Sequence, residues 1–331
     1  MDALPLVAVT FPVRPEDRAT FEATLAGVAR VAFLAELDHD GRAGRLAEAE
    51  VLLSWLWGSE IRPEERELLG RVRFVQLLSA GADGVPFADI PPHIEVAGNV
   101  GAYAEPMAEH ALAMALALAK RLPLRHAEMV RGEFRHFAFS RTLDGAVCGI
   151  LGYGGIGRAV ARLLRAFGAR IHAVNTSGRT ADPEPVEFLG TLEDLDAVLA
   201  ASDVLVIALP LTRGTRGLIG RRELELMKPD AILVNVARGA VVEEEALFDH
   251  LSAHPEFIAG LDVWWREPLH QGEFRVDHPF FDLPNVLGSP HNSALVPGSL
   301  EAAARHAAQN VARYLRDEPV AGVVRREDYE A

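Results

Sequence analysis

Residues 147–157 read Val147-Cys148-Gly149-Ile150-Leu151-Gly152-Tyr153-Gly154-Gly155-Ile156-Gly157. A short apolar run ends at Gly152, and Gly154 and Gly157 complete the spacing G-x-G-x-x-G. Apolar residues at intervals of three and four follow at once and predict a helix over 156–167. A strand, a tight turn and a helix are the context in which this spacing binds a dinucleotide. The stretch therefore predicts a nucleotide-binding βαβ unit.

The three glycines are expected to have separate roles. Gly152 allows the turn, Gly154 lets the backbone approach a pyrophosphate, and Gly157 lets the helix pack closely on the strand. The N-terminus of the helix offers its N–H groups and the positive end of its dipole to the phosphates. The alternative is a glycine-rich turn without a ligand, since such turns are common.

The residues after the second strand of this unit bear on the choice of coenzyme. The strand Arg170–Val174 is followed by Asn175, where an Asp or Glu usually binds the ribose 2′-OH. Thr176, Ser177 and Arg179 come next, and all four side chains can donate hydrogen bonds to a 2′-phosphate. We therefore predict NADP(H) as the preferred coenzyme, with NAD(H) possible if Arg179 only faces water.

Composition excludes several classes of function. The chain has 331 residues, 49% of them hydrophobic and 24% charged, which is enough for two domains of ordinary globular type. Its net charge of −14, without basic runs, argues against nucleic-acid or membrane partners. The single cysteine, Cys148, allows no thiolate metal cluster, and we expect no metal. Without a signal peptide or a membrane-spanning stretch in the sequence, a cytoplasmic protein is expected.

Strand and helix patterns alternate along two parts of the chain, which predicts an α/β fold with two doubly wound parallel sheets. The predicted strands are 6–9, 31–34, 50–53, 74–77 and 94–97, then 147–151, 170–174, 186–189, 204–209, 231–236, 257–262 and 285–288. The predicted helices are 15–29, 103–122, 156–167, 191–200, 221–227, 243–253 and 298–316. Residues 123–146 are interpreted as an irregular connection. The predicted domains are a discontinuous substrate domain, 1–102 plus 292–331, and a Rossmann NAD(P)-binding domain, 103–291.

Polar residues follow three strands of the second part, at the sheet edge where the glycine loop lies. Arg238 can hold a substrate carboxylate through a bidentate pair. His291 can donate a proton to a carbonyl oxygen as hydride arrives, and Glu267 can orient the imidazole and stabilise the imidazolium. Individually, such an arginine could be a capping donor and such a histidine a turn residue. Together they suit the reduction of a 2-keto acid.

Six segments, in order, resemble the D-isomer-specific 2-hydroxyacid dehydrogenase family over nearly the whole chain. They are Ser79-Ala80-Gly81-Ala82-Asp83, Asn99 to Tyr103 with Ala108-Glu109-His110, the glycine loop 152–157, Asn235-Val236-Ala237-Arg238-Gly239, Asp262-Val263 with Glu267-Pro268, and Ser289-Pro290-His291. By this resemblance Arg238, Glu267 and His291 match the catalytic residues of the family.

The resemblance also implies binding residues and partners. The amides around Ala80 and Gly81 would hold the substrate carboxylate together with Arg238, although on the residues alone this loop could be a plain βα turn. Predicted coenzyme contacts are Gly155 and Ile156 at the pyrophosphate, Asp262 at the nicotinamide carboxamide, and Pro210, Thr215, Val236 and Ala237 in the cleft. A flavodoxin-like outer domain and a homodimer, joined in part by the helix at 103–122, are further expectations.

The proposed substrates, glyoxylate or hydroxypyruvate, follow from family analogy and from the segment 175–179. Two other functions stay open: a formate dehydrogenase, although those enzymes carry Gln where this chain has Glu267, and a corepressor-like protein that senses NAD(P). The loop from Trp264 to Pro284 looks longer than in many members and could shape the pocket or be a surface loop. It contains His270, Phe274, His278, Phe280 and Phe281.

Overall fold

The structure, a computed structural model, describes residues 4–180, 186–268 and 272–330. The chain divides into two compact units. The first unit is Met1–Tyr103 with Leu295–Ala331, and the second unit is Ala104–Ala294. Each is built on its own parallel sheet, which confirms the predicted α/β class with two doubly wound sheets.

The sheet of the first unit has five parallel strands in the order β2-β1-β3-β4-β5. The strands are β1 Leu6–Val9, β2 Arg30–Phe33, β3 Val51–Ser54, β4 Phe74–Leu77 and β5 Glu95–Ala97. Every residue of β1, β3 and β4 is buried, as expected for parallel strands covered on both faces. This strand order is flavodoxin-like, as the sequence resemblance implied.

The sheet of the second unit has seven parallel strands in the order β12-β11-β10-β9-β6-β7-β8. The strands are β6 Val147–Leu151, β7 Arg170–Val174, β8 Phe188–Gly190, β9 Val204–Ile207, β10 Ile232–Asn235, β11 Ile258–Leu261 and β12 Val286–Gly288. The strand order reverses between β6 and β9, so the glycine loop after β6 lies at the topological switch point. Ligands of open α/β sheets bind there, outside the carboxyl ends of the strands.

The helices lie mostly where the apolar periodicity predicts them, with ends that differ by a few residues. They are α1 Pro15–Leu25, α2 His39–Glu48, α3 Trp57–Glu60, α4 Ala104–Ala119, α5 Leu122–Val130, α6 Gly155–Ala166, α7 Leu195–Ala201, α8 Arg221–Leu226, α9 Glu244–Ala253 and α10 Ser299–Tyr314. Among the described residues, each of these helices is too short or too polar to cross a bilayer.

Helix α5 corrects the prediction that residues 123–146 are irregular throughout. Arg121 takes a left-handed conformation with φ of 51°, which ends α4 and lets a second helix begin. Pro123 falls in the first turn of α5, where its missing N–H group breaks no helical hydrogen bond. The prediction is wrong over Leu122–Val130 because the left-handed turn at Arg121 leaves no signal in the sequence.

A buried amide anchors the returning helix α10 in the first unit. Asn310 is 2% exposed, and its Nδ2 donates to Gln76 Oε1 of β4 at 2.6 Å and to the Ala321 carbonyl at 2.9 Å. Its Oδ1 accepts from the Ala321 N–H at 2.9 Å. Tyr314, one turn further along α10, stacks on Phe74 with ring centroids 4.3 Å apart. The side chain of Asn310 therefore joins α10 both to β4 and to the segment that follows α10.

We predict that Asn310→Ala lowers the free energy of unfolding by about 3 kcal/mol, because buried groups lose their hydrogen-bond partners. Urea denaturation followed by circular dichroism measures the change. Arg305→Ala on the same helix is the control: its exposed pair with Glu301 should contribute less than about 1 kcal/mol. Equal effects of the two substitutions would contradict an anchoring role for Asn310.

Candidate active site

The three glycines of the loop meet different surroundings. Gly152 has φ of +97°, and a Cβ atom at Gly157 would lie 2.0 Å from the carbonyl oxygen of Gly152. The first and third glycines are therefore required by conformation and by close packing. A Cβ atom at Gly154 would meet nothing within 4 Å, so the backbone there faces open space.

Helix α6 begins directly after Gly154, which caps it without a side-chain hydrogen bond. The N–H groups at the start of the helix, those of Gly155 and Ile156 among them, are therefore not covered by a capping side chain. They lie beside the open space over Gly154, where a helix N-terminus attracts phosphate. The residues present fit a dinucleotide pyrophosphate.

The loop after β7 is shaped by Asn175. Its Oδ1 accepts from the N–H groups of Ser177 and Gly178 at 3.1 and 2.7 Å, and its Nδ2 donates to the Arg179 carbonyl at 2.8 Å. An Asp could accept the first two bonds but could not donate the third. The side chains of Thr176 and Arg179 are exposed on this loop. Contacts of all four predicted residues with a 2′-phosphate stay predictions.

Other predicted coenzyme contacts lie after β9 and β10, at the same sheet edge as the glycine loop. Thr215 Oγ1 donates to the Pro210 carbonyl at 2.7 Å and accepts from the Thr212 N–H at 2.8 Å, which closes the loop after β9. Val236 and Ala237 are buried directly after β10. Their contacts with a coenzyme also stay predictions.

The turn after β10 presents Arg238. Buried Asn235 fixes this turn: its Oδ1 accepts from the Ala237 N–H at 3.0 Å and its Nδ2 donates to the Arg238 carbonyl at 2.9 Å. The half-buried guanidinium of Arg238 donates from Nη1 to the Ala237 carbonyl at 2.8 Å. A cation is thus held at the carboxyl edge of the sheet, where a small anion could reach it.

His291 and Glu267 form a close pair at this edge. His291 Nδ1 lies 2.5 Å from Glu267 Oε2, and their side chains are 30% and 12% exposed. The other carboxylate oxygen, Oε1, accepts from the Trp264 N–H at 2.8 Å. Because a carboxylate accepts, Nδ1 carries the proton of this bond, and the second ring nitrogen of His291 can exchange a proton with a substrate.

Burial acts to raise the pKa of Glu267, but its favourable contacts outweigh burial and hold the pKa below its usual 4.5. These contacts are the hydrogen bond and charge of His291, the Trp264 N–H and the charge of Arg238. Glu267 is therefore ionised at and above pH 4.5. Its electrostatic support of an imidazolium is present there and is lost only as the pH falls through the lowered value.

Asp262 holds the backbone that carries His291. Its buried carboxylate accepts from Ser289 Oγ at 2.5 Å and from the N–H groups of Asn292 and Ser293 at 3.2 and 3.1 Å. Its own carbonyl accepts from the His291 N–H at 2.7 Å. His291 has φ of 51°, a left-handed conformation that few residues other than glycine adopt. The carboxylate that the resemblance assigned to the nicotinamide carboxamide thus also fixes the loop of His291.

Sequence reasoning gave no role to His110, which the structure brings to this network. His110 Nε2, on α4, lies 3.0 Å from Ser289 Oγ and 3.6 Å from Asp262 Oδ1. Burial acts to raise the pKa of Asp262, but the hydrogen bonds from Ser289 and Ser293 and the charge of His110 outweigh burial and hold the pKa below its usual 3.8. A signal existed in the sequence, since a histidine interrupts an otherwise Ala- and Leu-rich helix.

The loop of Ala80 and Gly81 follows β4 in the first unit. Ser79 Oγ donates to the Gly81 carbonyl at 2.8 Å, and the Asn99 N–H donates to the Ser79 carbonyl at 2.8 Å. Ala80 and Gly81 are half-buried. Their role in binding a substrate carboxylate stays a prediction.

The loop after Trp264 is partly anchored in the core of the second unit. Phe280 is fully buried, whereas Phe274 and Phe281 are 50% and 58% exposed. His278 stacks on Phe248 with ring centroids 4.9 Å apart. His270 lies outside the described residues. Within the parts of the chain that the structure describes, no three side chains of metal-ligating type come together.

Comparison with known proteins identifies the family of this chain. The family model of the D-isomer specific 2-hydroxyacid dehydrogenase, NAD binding domain, matches residues 112–293. A glyoxylate reductase of Thermococcus gammatolerans is 34% identical over 308 residues, which cover 81% of this chain and 90% of that protein.

Two solved structures are similar over nearly the whole chain. A Pyrobaculum aerophilum protein provisionally named a formate dehydrogenase is 30% identical, with a TM-score of 0.80, covering 98% of this chain and 99% of that one. An NADPH-dependent glyoxylate/hydroxypyruvate reductase of Sinorhizobium meliloti, solved with NADP and sulfate, is 25% identical, also with a TM-score of 0.80, covering 98% and 100%. The chain therefore belongs to the D-isomer specific 2-hydroxyacid dehydrogenase family, whose members are NAD(P)-dependent oxidoreductases that act on 2-hydroxy acids.

Proposed function

We propose that this protein reduces a small 2-keto acid, glyoxylate or hydroxypyruvate, to the D-2-hydroxy acid, with NADPH as the preferred coenzyme and His291 as the acid and base. The observation that carries the proposal is the contact of 2.5 Å between His291 and Glu267 at the edge that also presents Arg238. A half-buried carboxylate, an imidazole and a guanidinium at one sheet edge provide the charges that the reduction of a keto acid requires.

The nicotinamide ring, when bound, supplies the hydride that adds to the substrate carbonyl carbon. Arg238 binds the substrate carboxylate, and its planar guanidinium fixes the orientation of the acid. His291 donates the proton that the carbonyl oxygen gains, and takes it back when a hydroxy acid is oxidised. Glu267 holds the imidazole at Nδ1 and stabilises its cationic form. Ala80 and Gly81 are proposed to bind the same substrate carboxylate through their amides.

The substrate and coenzyme assignments have separate support. The Thermococcus relative is a glyoxylate reductase, and the Sinorhizobium relative is NADPH-dependent and takes glyoxylate or hydroxypyruvate. The exposed side chains of Thr176 and Arg179, on a loop that lacks an acid at position 175, favour a 2′-phosphate over a free 2′-OH. The similarity to the Pyrobaculum protein makes formate oxidation the second candidate. That reaction needs no proton transfer to a carbonyl oxygen, so it leaves the pair of His291 and Glu267 without a function.

The deciding experiment measures initial rates of NADPH and NADH oxidation with glyoxylate, hydroxypyruvate, pyruvate, phenylpyruvate and 2-ketoisocaproate, and of NADP⁺ and NAD⁺ reduction with formate. We expect turnover of glyoxylate or hydroxypyruvate with a preference for NADPH. Turnover of formate alone would replace the proposal with formate dehydrogenation. Tight coenzyme binding without any turnover would favour a sensor of NAD(P).

Glu267→Gln is predicted to lower kcat for keto-acid reduction about tenfold, because His291 Nδ1 exchanges a charge-assisted hydrogen bond to a carboxylate for a neutral one. Initial rates at saturating keto acid and NADPH measure the change. His291→Ala, which removes the imidazole, is the reference and should lose turnover but keep coenzyme binding. An unchanged kcat in Glu267→Gln would contradict the assigned role.

Arg179→Ala is predicted to raise the KM for NADPH about tenfold and to leave the KM for NADH unchanged, because a charge-assisted hydrogen bond to the 2′-phosphate is lost. Steady-state kinetics with both coenzymes checks this. Arg170→Ala is the matched control. Arg170 is the first residue of β7, at the end of the strand that is far from the loop of Arg179, and it pairs with Glu187. If Arg179→Ala changes both KM values alike, the 2′-phosphate is not the group that Arg179 binds.

We also propose a homodimer that covers the segment after α5. Phe134, Phe137 and Phe139 are 75%, 87% and 95% exposed in the single chain, and such a group of bare aromatic rings is unusual on a monomer. Sedimentation equilibrium should give twice the mass of the chain. The double substitution Phe137→Ser with Phe139→Ser should shift the protein towards monomer, and an unchanged mass would exclude this segment as the interface.

A further inference from the structure

Trp264 lies at the carboxyl end of β11, among the three segments that carry Arg238, Glu267 and His291. We propose that Trp264 is a positioning residue that sets the places of these three side chains relative to one another. The effect of Trp264 on catalysis rests on the proposed function. Its effect on the position of His291 can be tested without that function.

The first contact is with Glu267. The Trp264 N–H donates to Glu267 Oε1 at 2.8 Å, while Oε2 of the same carboxylate lies 2.5 Å from His291 Nδ1. The backbone of Trp264 therefore fixes the rotation of the carboxylate, and through it the direction in which the imidazole is held.

The second contact is with the segment of His291. The indole Nε1 of Trp264 donates to the Ser289 carbonyl at 2.9 Å, two residues before His291. The end of β12 also lies directly on the ring, because a Cβ atom at Gly288 would be 2.8 Å from Trp264 Cζ2. Trp264 itself is only 6% exposed, so the ring has little freedom to move away.

The third contact is with the turn of Arg238. A Cβ atom at Gly239 would lie 2.3 Å from the Trp264 carbonyl carbon and 2.7 Å from the Trp265 nitrogen. Only glycine allows the turn to approach the peptide between the two tryptophans this closely. One residue thus touches all three segments.

The geometry also shows what the side chain adds. The contacts of Trp264 with Glu267 and Gly239 are made by its backbone, and any residue could make them. The contact with the His291 segment depends on the indole N–H and on the ring. Substitution of the side chain should therefore release His291 first, and a displacement of about 1 Å in a reacting group can lower a rate about a hundredfold.

Trp264→Phe removes the indole N–H but keeps a ring against its aromatic neighbours Phe274 and Phe281. Trp265→Phe is the matched control, one position along the chain. The Trp265 indole donates to the Val242 carbonyl at 2.6 Å and stacks on Phe280 with centroids 5.2 Å apart. Both substitutions remove one partly buried hydrogen bond from the same loop, so their effects on stability should be similar.

Two measurements on the full-length variants decide the proposal. In the ¹H NMR spectrum, the low-field resonance of the His291 Nδ1 proton, assigned by its loss in His291→Ala, should shift or broaden in Trp264→Phe and stay unchanged in Trp265→Phe. In kinetics, Trp264→Phe should lower kcat about 10- to 100-fold at an unchanged dissociation constant for NADPH. Trp265→Phe should keep kcat within about twofold of the parent protein.

Gly288→Ala tests the ring contact without changing Trp264, because its methyl group displaces the indole. It should move the same resonance and lower kcat in the same direction. An unchanged Nδ1 resonance in both Trp264→Phe and Gly288→Ala would overturn the positioning role. Absence of keto-acid turnover in the parent protein would instead overturn the proposed function, and the NMR comparison would still decide the role of Trp264.

Discussion

The buried carboxylate of Asp262 is the constraint on which the candidate site depends. A charge without exposure to water is costly unless donors surround it, and here one hydroxyl and two backbone N–H groups do so. These bonds hold the chain on both sides of His291. They offset the free-energy cost of its left-handed backbone, which is about 1 kcal/mol or more. The imidazole therefore meets Glu267 in a direction that the fold has already determined.

An acidic protein that binds two anions must concentrate positive charge where the anions lie. The net charge of −14 gives no long-range attraction for a phosphate or a carboxylate. The second unit offers local sources instead: the N-terminus of α6 beside Gly154, the guanidinium of Arg238, and the exposed Arg179. Short-range donors in fixed positions select an anion by its geometry, which overall charge could not do.

The sequence predicted best what local spacing determines. It predicted the glycines at 152, 154 and 157 and the polar residues that follow β10, β11 and β12. The carboxyl ends of parallel strands lie at one edge of the sheet, so residues that follow these strands are expected to lie near one another. It predicted least well what depends on distant contacts. His110 reaches Ser289 across 179 positions, and Trp264 reaches the turn of Arg238 through a close approach of two backbones. The sequence singles out His110 and the turn of Arg238, but nothing in it identifies the distant residues that they contact.

The late position of α10 in the chain has a consequence for synthesis on the ribosome. Its alanines and Val311 complete the core cluster that contains Phe21 and Phe74, yet they follow the whole of the second unit in the sequence. At usual translation rates, synthesis of the second unit takes on the order of 10 to 40 s, and one face of the first sheet stays uncovered until α10 follows. During that interval the nascent chain exposes a bare apolar surface, which makes it a natural client for chaperones that bind such surfaces.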